Sequence, residues 1–124
     1  MKFMTRIADA WRALAGHQRN ELPLRRDCEH FNFEHNNFQW TASIGRYPNG
    51  KLAEIFLTNS KQGTTVEYYA QDASIATSIA LQYGAPLETL QSAMSRDGRN
   101  VPHCAIGVAL DLLVAESTNQ AQPG

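Results

Sequence analysis

Two pairs of side chains in this sequence could bind a metal ion. Cys28 and His30 are separated by one residue, and His103 and Cys104 are adjacent. Zinc prefers tetrahedral sites built from cysteine and histidine, but structural sites space each pair by about two to five residues. The adjacent pair is a poor chelate, so we expect no metal site and no other cofactor.

The same residues give little support for nucleophilic catalysis. Neighbouring residues on a helix point in different directions, whereas a Cys/His dyad requires two side chains within hydrogen-bond reach. Cys28 and Cys104 are the two cysteines of the chain, too few for a disulfide framework. Their separation in space does not follow from the sequence. We expect free thiols in a cytoplasmic protein and no enzymatic activity.

Two carboxylates interrupt otherwise apolar segments. Glu54 lies in an apolar predicted strand, and Asp72 lies in the middle of a predicted helix among alanines and tyrosines. If these carboxylates are partly buried, each requires a partner. The nearest cations in sequence are Arg46 and Lys51. A structural ion-pair network and a polar site for a ligand or partner both fit these four residues.

The elements that position these residues begin with three predicted strands. Apolar and polar residues alternate over Phe31 to Glu34 and over Phe38 to Ile44, which indicates strands with one buried face. The third strand, Leu52 to Thr58, is apolar on both faces except for Glu54, which predicts that it is the central or the most covered strand. The aromatic residues of the first two strands are expected to form core, so we expect no nucleic-acid partner.

A long helix follows between Gly63 and Gly84. Thr64 and Glu67 fit a reciprocal capping box, and Gly84 fits a left-handed helix end. Apolar residues lie on two sides of this helix, so we expect both sides to be covered and the helix to lie across the sheet.

Two more helices are predicted at about 86–94 and 103–116, followed by a disordered tail at 117–124. The sequence therefore predicts an α+β domain at 27–116. Its fold is a three-stranded antiparallel β-meander packed against a long central helix and two further helices, with an N-terminal amphipathic helix before them.

The first 26 residues form a basic arm and linker. They hold six Lys or Arg against two acids, whereas residues 27–124 hold five against ten. Phe3, Ile7, Ala10, Trp11 and Leu14 form an apolar stripe at helical spacing. Three hypotheses fit this stripe: the helix packs on its own domain, it binds a protein partner, or it forms a homodimer. Candidate contact residues in the arm are Trp11, Arg12, Arg25 and Arg26.

Several runs in this sequence resemble one family. Gly45 to Leu57, GRYPNGKLAEIFL, and Leu81 to Leu90, LQYGAPLETL, are similar to the TSCPD domain. That domain lies at the C-terminal end of vitamin B12-dependent ribonucleotide reductases and in small stand-alone proteins. The motif that names the family corresponds to Asn100 to Cys104, where a proline and a cysteine remain in altered order. The resemblance therefore carries no metal or thiol role over to these residues.

The resemblance implies a non-catalytic module. Ribonucleotide reduction needs a thiyl radical, a reducing cysteine pair and a large barrel, which a chain of 124 residues with two cysteines does not supply. We expect a regulatory or protein-interaction module that acts through the N-terminal helix and the hairpin surface. A small phage- or prophage-derived inhibitor of a host or defence protein is one alternative. A nucleotide- or metal-binding module is another. No apolar run approaches the ~20 residues of a membrane span, so we expect no membrane contact.

Overall fold

The computed structural model describes residues 18–23, 27–61 and 63–121, without the side chains of residues 120 and 121. The predicted N-terminal helix lies outside these ranges. Within them the chain forms three strands and three helices, which confirms the α+β class. The strands are β1 (Cys28–His35), β2 (Phe38–Arg46) and β3 (Leu52–Asn59), and the helices are α1 (Thr65–Gln82), α2 (Leu87–Ala93) and α3 (Ala105–Ala121).

The three strands form an antiparallel meander in the order β1-β2-β3. Asn36 and Asn37 connect the first two strands with positive φ angles of 52° and 66°, as expected for a tight hairpin turn. The third strand is at an edge rather than in the centre, but it is the most covered of the three, with five of its eight residues buried. Sequential hairpins place the middle strand, β2, in the centre, and Phe56 on β3 is 45% exposed.

One face of the sheet forms the hydrophobic core together with the helices. Trp40, Ala42 and Ile44 from β2 are at most 2% exposed, and Ile55 and Leu57 from β3 are fully buried. As predicted for the first two strands, Phe33 and Trp40 belong to this core, and Phe31 and Phe38 are partly buried against it. The opposite face of the sheet is largely polar.

The start of α1 differs from a reciprocal capping box. Thr64 Oγ1 accepts a hydrogen bond from the Glu67 N–H at 3.2 Å, as predicted. The Glu67 carboxylate, however, accepts from the N–H groups of Gly63 (3.1 Å) and Asn59 (2.9 Å), outside the helix. The helix ends as predicted, because Gly84 has a φ of 99°. Glu67 thus joins the helix start to the end of β3.

The orientation of α1 also differs from the prediction. The helix packs along β3, and most of its buried residues are polar. Of its large apolar side chains Leu81 is buried, whereas Val66, Tyr68, Tyr69, Ile75 and Ile79 lie on the surface, so this helix is not covered on both apolar sides by the described part of the chain. The buried residues of α1 are Glu67, Ala70, Ser74, Thr77, Ser78, Leu81 and Gln82.

The last two helices are joined by a structured loop. Asp97 Oδ1 accepts hydrogen bonds from the N–H groups of Arg99 (2.8 Å) and Val101 (3.0 Å). Arg96 donates two hydrogen bonds to Asp111, at 2.9 and 2.5 Å. α3 extends five residues beyond the predicted end at Glu116. No helix in the described ranges is long and apolar enough to cross a bilayer.

Candidate functional site

The free edge of β3 is hydrogen-bonded by side chains of α1. Ser78 Oγ accepts from the Ile55 N–H at 2.9 Å, and its hydroxyl proton is shared between the carbonyls of Ile55 (3.0 Å) and Ser74 (2.8 Å). Gln82 Nε2 donates to the Ala53 carbonyl at 3.1 Å. A sheet edge normally exposes such groups to any extended chain. Here α1 satisfies them, and the sheet ends at three strands.

Satisfying the strand edge with polar side chains leaves apolar residues on the other side of α1. Tyr68, Ile75 and Ile79 are 55%, 44% and 39% exposed. Together with Asp72 they recur at i, i+4, i+7 and i+11, so they form one stripe. We call these four residues the outer face of α1.

Phe56 lies on the same side of the structure as the outer face. Its neighbours on β3, Ile55 and Leu57, point into the core, and so do Ala70 and Leu81 of α1. Side chains alternate between the two faces of a strand, so Phe56 points away from the core. Phe56 and the outer face therefore give this side of the domain four large exposed apolar side chains, more than the scattered single residues of an ordinary surface.

The first described residues are attached to the end of α1. The Asn20 N–H donates to the Gln82 carbonyl at 2.8 Å, and Arg19 Nε donates to Gln82 Oε1 at 2.6 Å. The Tyr47 hydroxyl donates to the Asn20 carbonyl. Burial raises the pKa of this hydroxyl, and the charge of Arg19 opposes the shift. Arg19 and Asn20 are therefore held beside the last turn of α1.

A second surface feature is an apolar cavity of about 270 Å³ at the start of α3. The β1–β2 turn, the first half of α1 and the residues before α3 form its walls. His35 Nε2 lies 3.2 Å from the Pro102 carbonyl oxygen and closes one side. The cavity is lined by His35, Asn36, Phe38, Trp40, Val66, Tyr69, Ala70, Ala73, His103, Cys104, Ala105 and Ile106.

The polar groups around this cavity favour anions over cations. The described residues that line it include two histidines and no carboxylate. The Cys104 carbonyl accepts from the N–H groups of Gly107 (3.1 Å) and Val108 (3.3 Å), so α3 begins directly after Cys104. A helix N-terminus carries a partial positive charge and unpaired N–H groups. The cavity thus combines an apolar wall with one electropositive end.

Of the four predicted residues Arg46, Lys51, Glu54 and Asp72, the first three lie in the β2–β3 hairpin, whereas Asp72 lies on α1. Arg46 contacts Glu29 at 3.2 Å and Glu116 at 3.7 Å, so its ion pairs join β2 to β1 and α3. Glu54 lies over its cross-strand neighbour Gly45, where an added Cβ would be 2.6 Å from Glu54 Oε1.

Lys51 is exposed in the hairpin turn, and Asp72 is exposed rather than partly buried. Gln82, which contacts the strand next to Glu54, is ten residues along α1 from Asp72. At 1.5 Å per residue the two positions are about 15 Å apart along the helix. A binding role for each of these residues stays a prediction, but they do not form one site.

The two Cys/His pairs also lie apart. Cys28 begins β1, and His35, which contacts the segment before His103, ends it. A strand rises about 3.3 Å per residue, so the ends of β1 are about 23 Å apart. Within the described ranges no three His, Cys, Asp or Glu side chains are grouped to hold a metal ion. Cys28 and Cys104 are exposed free thiols.

Four predicted contact residues, Trp11, Arg12, Arg25 and Arg26, lie outside the described residues. Sequence reasoning in turn missed the polar residues that join α1 to β3. A signal was present: Ser74, Ser78 and Gln82 recur at i, i+4 and i+8 and so form one polar stripe along the helix. Such a stripe indicates a buried face with hydrogen-bond partners.

The three-stranded sheet, whose edge strand is hydrogen-bonded by α1, and the helices define a small α+β domain. Residues 19–112 match the family model of the TSCPD domain, and the chain belongs to this family. The segment Asn100 to Cys104 lies directly before α3, as expected, and its last two residues, His103 and Cys104, line the cavity.

The curated relatives are vitamin B12-dependent ribonucleotide reductases. The Rhodopirellula baltica enzyme is 33% identical over 78 residues, which cover 63% of this chain and 8% of the enzyme. The enzyme of Streptantibioticus cattleyicolor is 39% identical over 74 residues, 60% of this chain and 12% of the enzyme. This chain therefore matches only a small part of each relative. No solved structure shows significant similarity to it.

Proposed function

We propose that this chain is a non-catalytic protein-interaction module that binds a partner through the outer face of α1 and the adjacent Phe56. The observation that carries the proposal is the exposure of Tyr68, Ile75, Ile79 and Phe56 on one side of the domain. Burial of apolar surface drives most protein association at about 25 cal/mol per Å². Aromatic side chains are also enriched among the residues that dominate binding energy.

The chemistry of the surface constrains the partner. Residues 27–124 carry a net charge of −5, and Asp72 lies within the outer face. A partner with an apolar helix or strand flanked by basic residues fits this combination. The relatives carry the matching domain within a reductase, so the first candidate is a reductase polypeptide of the same cell. Trp11, Arg12, Arg25 and Arg26, which lie in the basic arm, remain predicted contributors to partner binding.

The test uses two substitutions that introduce the same charge on α1. Ile75→Asp alters the outer face, and Ala76→Asp is the matched control at an exposed neighbouring position outside it. Binding of the purified reductase to immobilised full-length protein is measured for both variants. We expect Ile75→Asp to weaken binding by about tenfold or more, which is ~1.4 kcal/mol, and Ala76→Asp to change it little.

Equal binding by both variants would place the contact elsewhere. If the reductase does not bind at all, proteins retained from a lysate by wild type and Ala76→Asp but lost with Ile75→Asp are the next candidates. Absence of any such protein argues against the interaction function. The inhibitor hypothesis stays a prediction, since it differs only in the partner.

The cavity at the start of α3 supports a second candidate function, the binding of a small apolar carboxylate. Its volume is near the lower end of the range for ligand pockets, about 300 to 1,000 Å³. The absence of carboxylates among the described lining residues favours an anionic ligand. A ring would contact the wall formed by Phe38 and Trp40, and the carboxylate would face the first N–H groups of α3.

Indole-3-carboxylate and uncharged indole are suitable probes, titrated into the ¹⁵N-labelled protein. We expect the amide resonances of Ala105 and Ile106 to shift with the carboxylate and much less with indole. Shifts scattered over the exposed face of α1, or no shifts, would contradict this second function.

A further inference from the structure

The outer edge of β1 differs from the other edge of the sheet. The β3 edge is hydrogen-bonded by side chains of α1, whereas β1 pairs with β2 on one side and with no strand on the other. Within the described ranges, no backbone hydrogen bond joins the outer side of β1 to another element. An edge of this kind is a template for a further strand.

The sequence of β1 lacks the features that usually protect an edge. Its eight residues, CEHFNFEH, include no proline and no lysine, and its register with β2 contains no bulge. Proline, lysine, bulges and very short strands are the usual means by which natural proteins prevent pairing between edges. In the described part of the chain, nothing therefore blocks the edge of β1.

The turn between β1 and β2 determines which backbone groups of β1 point outward. Asn36 and Asn37 form a two-residue turn, so the residues that flank it, His35 and Phe38, form a hydrogen-bonded pair. In an antiparallel ladder such pairs alternate with pairs that are not hydrogen-bonded. Odd-numbered residues of β1 therefore bond to β2, and the N–H and C=O groups of even-numbered residues face the free edge. The outward-facing residues are Cys28, His30, Asn32 and Glu34.

A second copy of β1 matches this edge best in one register. Two copies related by a twofold axis must place outward-facing residues opposite one another, which limits the positions of the axis. With the axis at Asn32, each His30 lies opposite Glu34 of the other copy. The same register places each Phe31 opposite Phe33. Moving the axis by one residue, to Phe31 or Phe33, removes the pairing of histidine with carboxylate.

The opposed polar side chains have the chemistry to bind each other. His30 Nδ1 lies 2.9 Å from Ser43 Oγ, which leaves Nε2 to contact a partner. The exposed carboxylate of Glu34 accepts one long hydrogen bond, from Gln39 Nε2 at 3.4 Å. A carboxylate accepts several donors, and a hydrogen bond to an ionised acceptor is stronger than one between neutral groups. The twofold axis forms this contact between the copies twice.

On the other face of β1 the same register extends the hydrophobic core. Phe33 is buried, whereas Phe31 is only partly buried, with its ring centroid 6.2 Å from that of Phe33. Directly opposite residues of an antiparallel pair have Cβ atoms about 4.5 to 5.5 Å apart. Phe31 of each copy is therefore covered beside Phe33 of the other, and burial of its exposed surface favours association.

We propose that this chain self-associates through β1 and forms a twofold-symmetric dimer with one continuous antiparallel sheet. The sheet contains the three strands of each copy. Asn32 lies at the axis, and about six backbone hydrogen bonds join the two copies. Because β1 and α1 lie at opposite edges of the sheet, this inference does not depend on the proposed function.

Hydrogen exchange of the wild-type, full-length protein tests the register. The amides of His30, Asn32 and Glu34 face the free edge in the monomer and are bonded in the dimer. We expect their exchange to slow by about tenfold or more as the protein concentration is raised. The amide of Cys28 is the internal control, since it lies opposite Asn36, beyond the end of β1, and keeps its rate. Exchange of the first three amides that does not depend on concentration overturns the proposal.

Two charge substitutions test the contact between His30 and Glu34. His30→Asp places two carboxylates opposite each other, and Glu34→Lys places an ammonium group opposite histidine. Sedimentation velocity measures self-association, and we expect each variant alone to weaken it by about tenfold or more. An equimolar mixture of the two should recover the dimer, because every contact then joins complementary groups. Glu88→Lys, at an exposed position of α2, is the matched control.

Each outcome of these measurements decides the proposal. Recovery of the dimer in the mixture supports it. A wild-type protein that stays monomeric at every concentration rejects it, and so do variants that associate as readily as wild type. If the wild type is monomeric but binds a polypeptide that Glu34→Lys loses, the edge accepts a foreign strand and self-pairing is rejected. Partner binding to the outer face of α1 is tested separately by Ile75→Asp.

Discussion

The hydroxyl of Ser78 takes the place of a neighbouring strand for Ile55. It accepts from the Ile55 N–H at 2.9 Å and lies 3.0 Å from the Ile55 carbonyl oxygen. Both groups belong to the edge of β3 that faces α1. Because buried backbone groups must be paired, one side chain determines whether both backbone groups of Ile55 are satisfied.

Replacement of Ser78 by alanine should therefore destabilise the domain. The substitution leaves two buried backbone groups without this partner, at a cost of about 1 to 3 kcal/mol. Ser92→Ala is the matched control, since the Ser92 hydroxyl contacts only the exposed carbonyl of Thr89. Urea unfolding measures both variants. Equal losses of unfolding free energy would contradict the role of Ser78 at the strand edge.

The stability of the domain should be as sensitive to the loss of one carboxylate oxygen of Glu67 as to the loss of the Ser78 hydroxyl. Its two oxygens accept from the N–H groups of Asn59 and Gly63, and the residue is 4% exposed. Glu67→Gln directs an amide donor at one of these N–H groups, which should cost about 1 to 3 kcal/mol. Glu88→Gln, exposed in the first turn of α2, should change the unfolding free energy by no more than about 0.5 kcal/mol. A similar small effect at Glu67 would contradict this prediction.

Gly107 is required for the contact between α3 and the segment before it. A Cβ at this position would lie 2.7 Å from the Cβ of Pro102 and 3.3 Å from that of Met94. Gly107→Ala should lower the unfolding free energy by about 1 to 3 kcal/mol, despite the higher helix propensity of alanine. Gly98→Ala, where an added Cβ meets no atom within 4 Å, is the control. Equal melting temperatures of Gly107→Ala and Gly98→Ala would argue against this close contact.

The ion pair of Arg96 and Asp111 predicts a pH dependence of stability. The hydrogen bond from Arg96 lowers the pKa of Asp111, although partial burial opposes the shift. The native state then binds this proton less readily than the unfolded state. The stabilisation is therefore present above the unfolded pKa of about 4 and is lost as the pH falls through the lower native pKa.

Asp111→Asn should accordingly lower the unfolding free energy by about 1 kcal/mol at neutral pH. The difference in unfolding free energy between wild type and Asp111→Asn should narrow below pH 4. The pKa of Asp97 is also lowered, chiefly by the backbone N–H of Val101, but this effect is present in both proteins and cancels. Asp72→Asn is the control at an exposed position. A difference that does not change with pH would show that Asp111 stabilises by packing rather than by charge.

Local features of this fold could be predicted because neighbouring residues determine them. The two asparagines of the first hairpin, the Thr64 cap and the Gly84 helix end depend on backbone conformations that few residues adopt. Alternation over β2 similarly identified which residues form the core. The family could also be recognised, because its motifs are continuous runs.

Long-range relationships could not be predicted in the same way. The apolar composition of β3 predicted the central or the most covered strand, and β3 is the most covered, but strand order is set by which hairpins form. Glu54 and Asp72 were both candidates for partial burial because their neighbours in sequence are apolar; Glu54 is partly buried, but Asp72 lies on an exposed helix face. The cavity likewise joins residues of β1, α1 and α3 that no local pattern connects.

The sequence by itself determined the elements, their ends and the family, because capping, turn geometry and periodicity act within a few residues. Only the tertiary structure decided which side of α1 is buried. An amphipathic pattern normally buries the apolar side, but here the unpaired backbone groups of β3 required hydrogen-bond partners. Ser78 and Gln82 supply them, and this orientation leaves Ile75 and Ile79 on the surface.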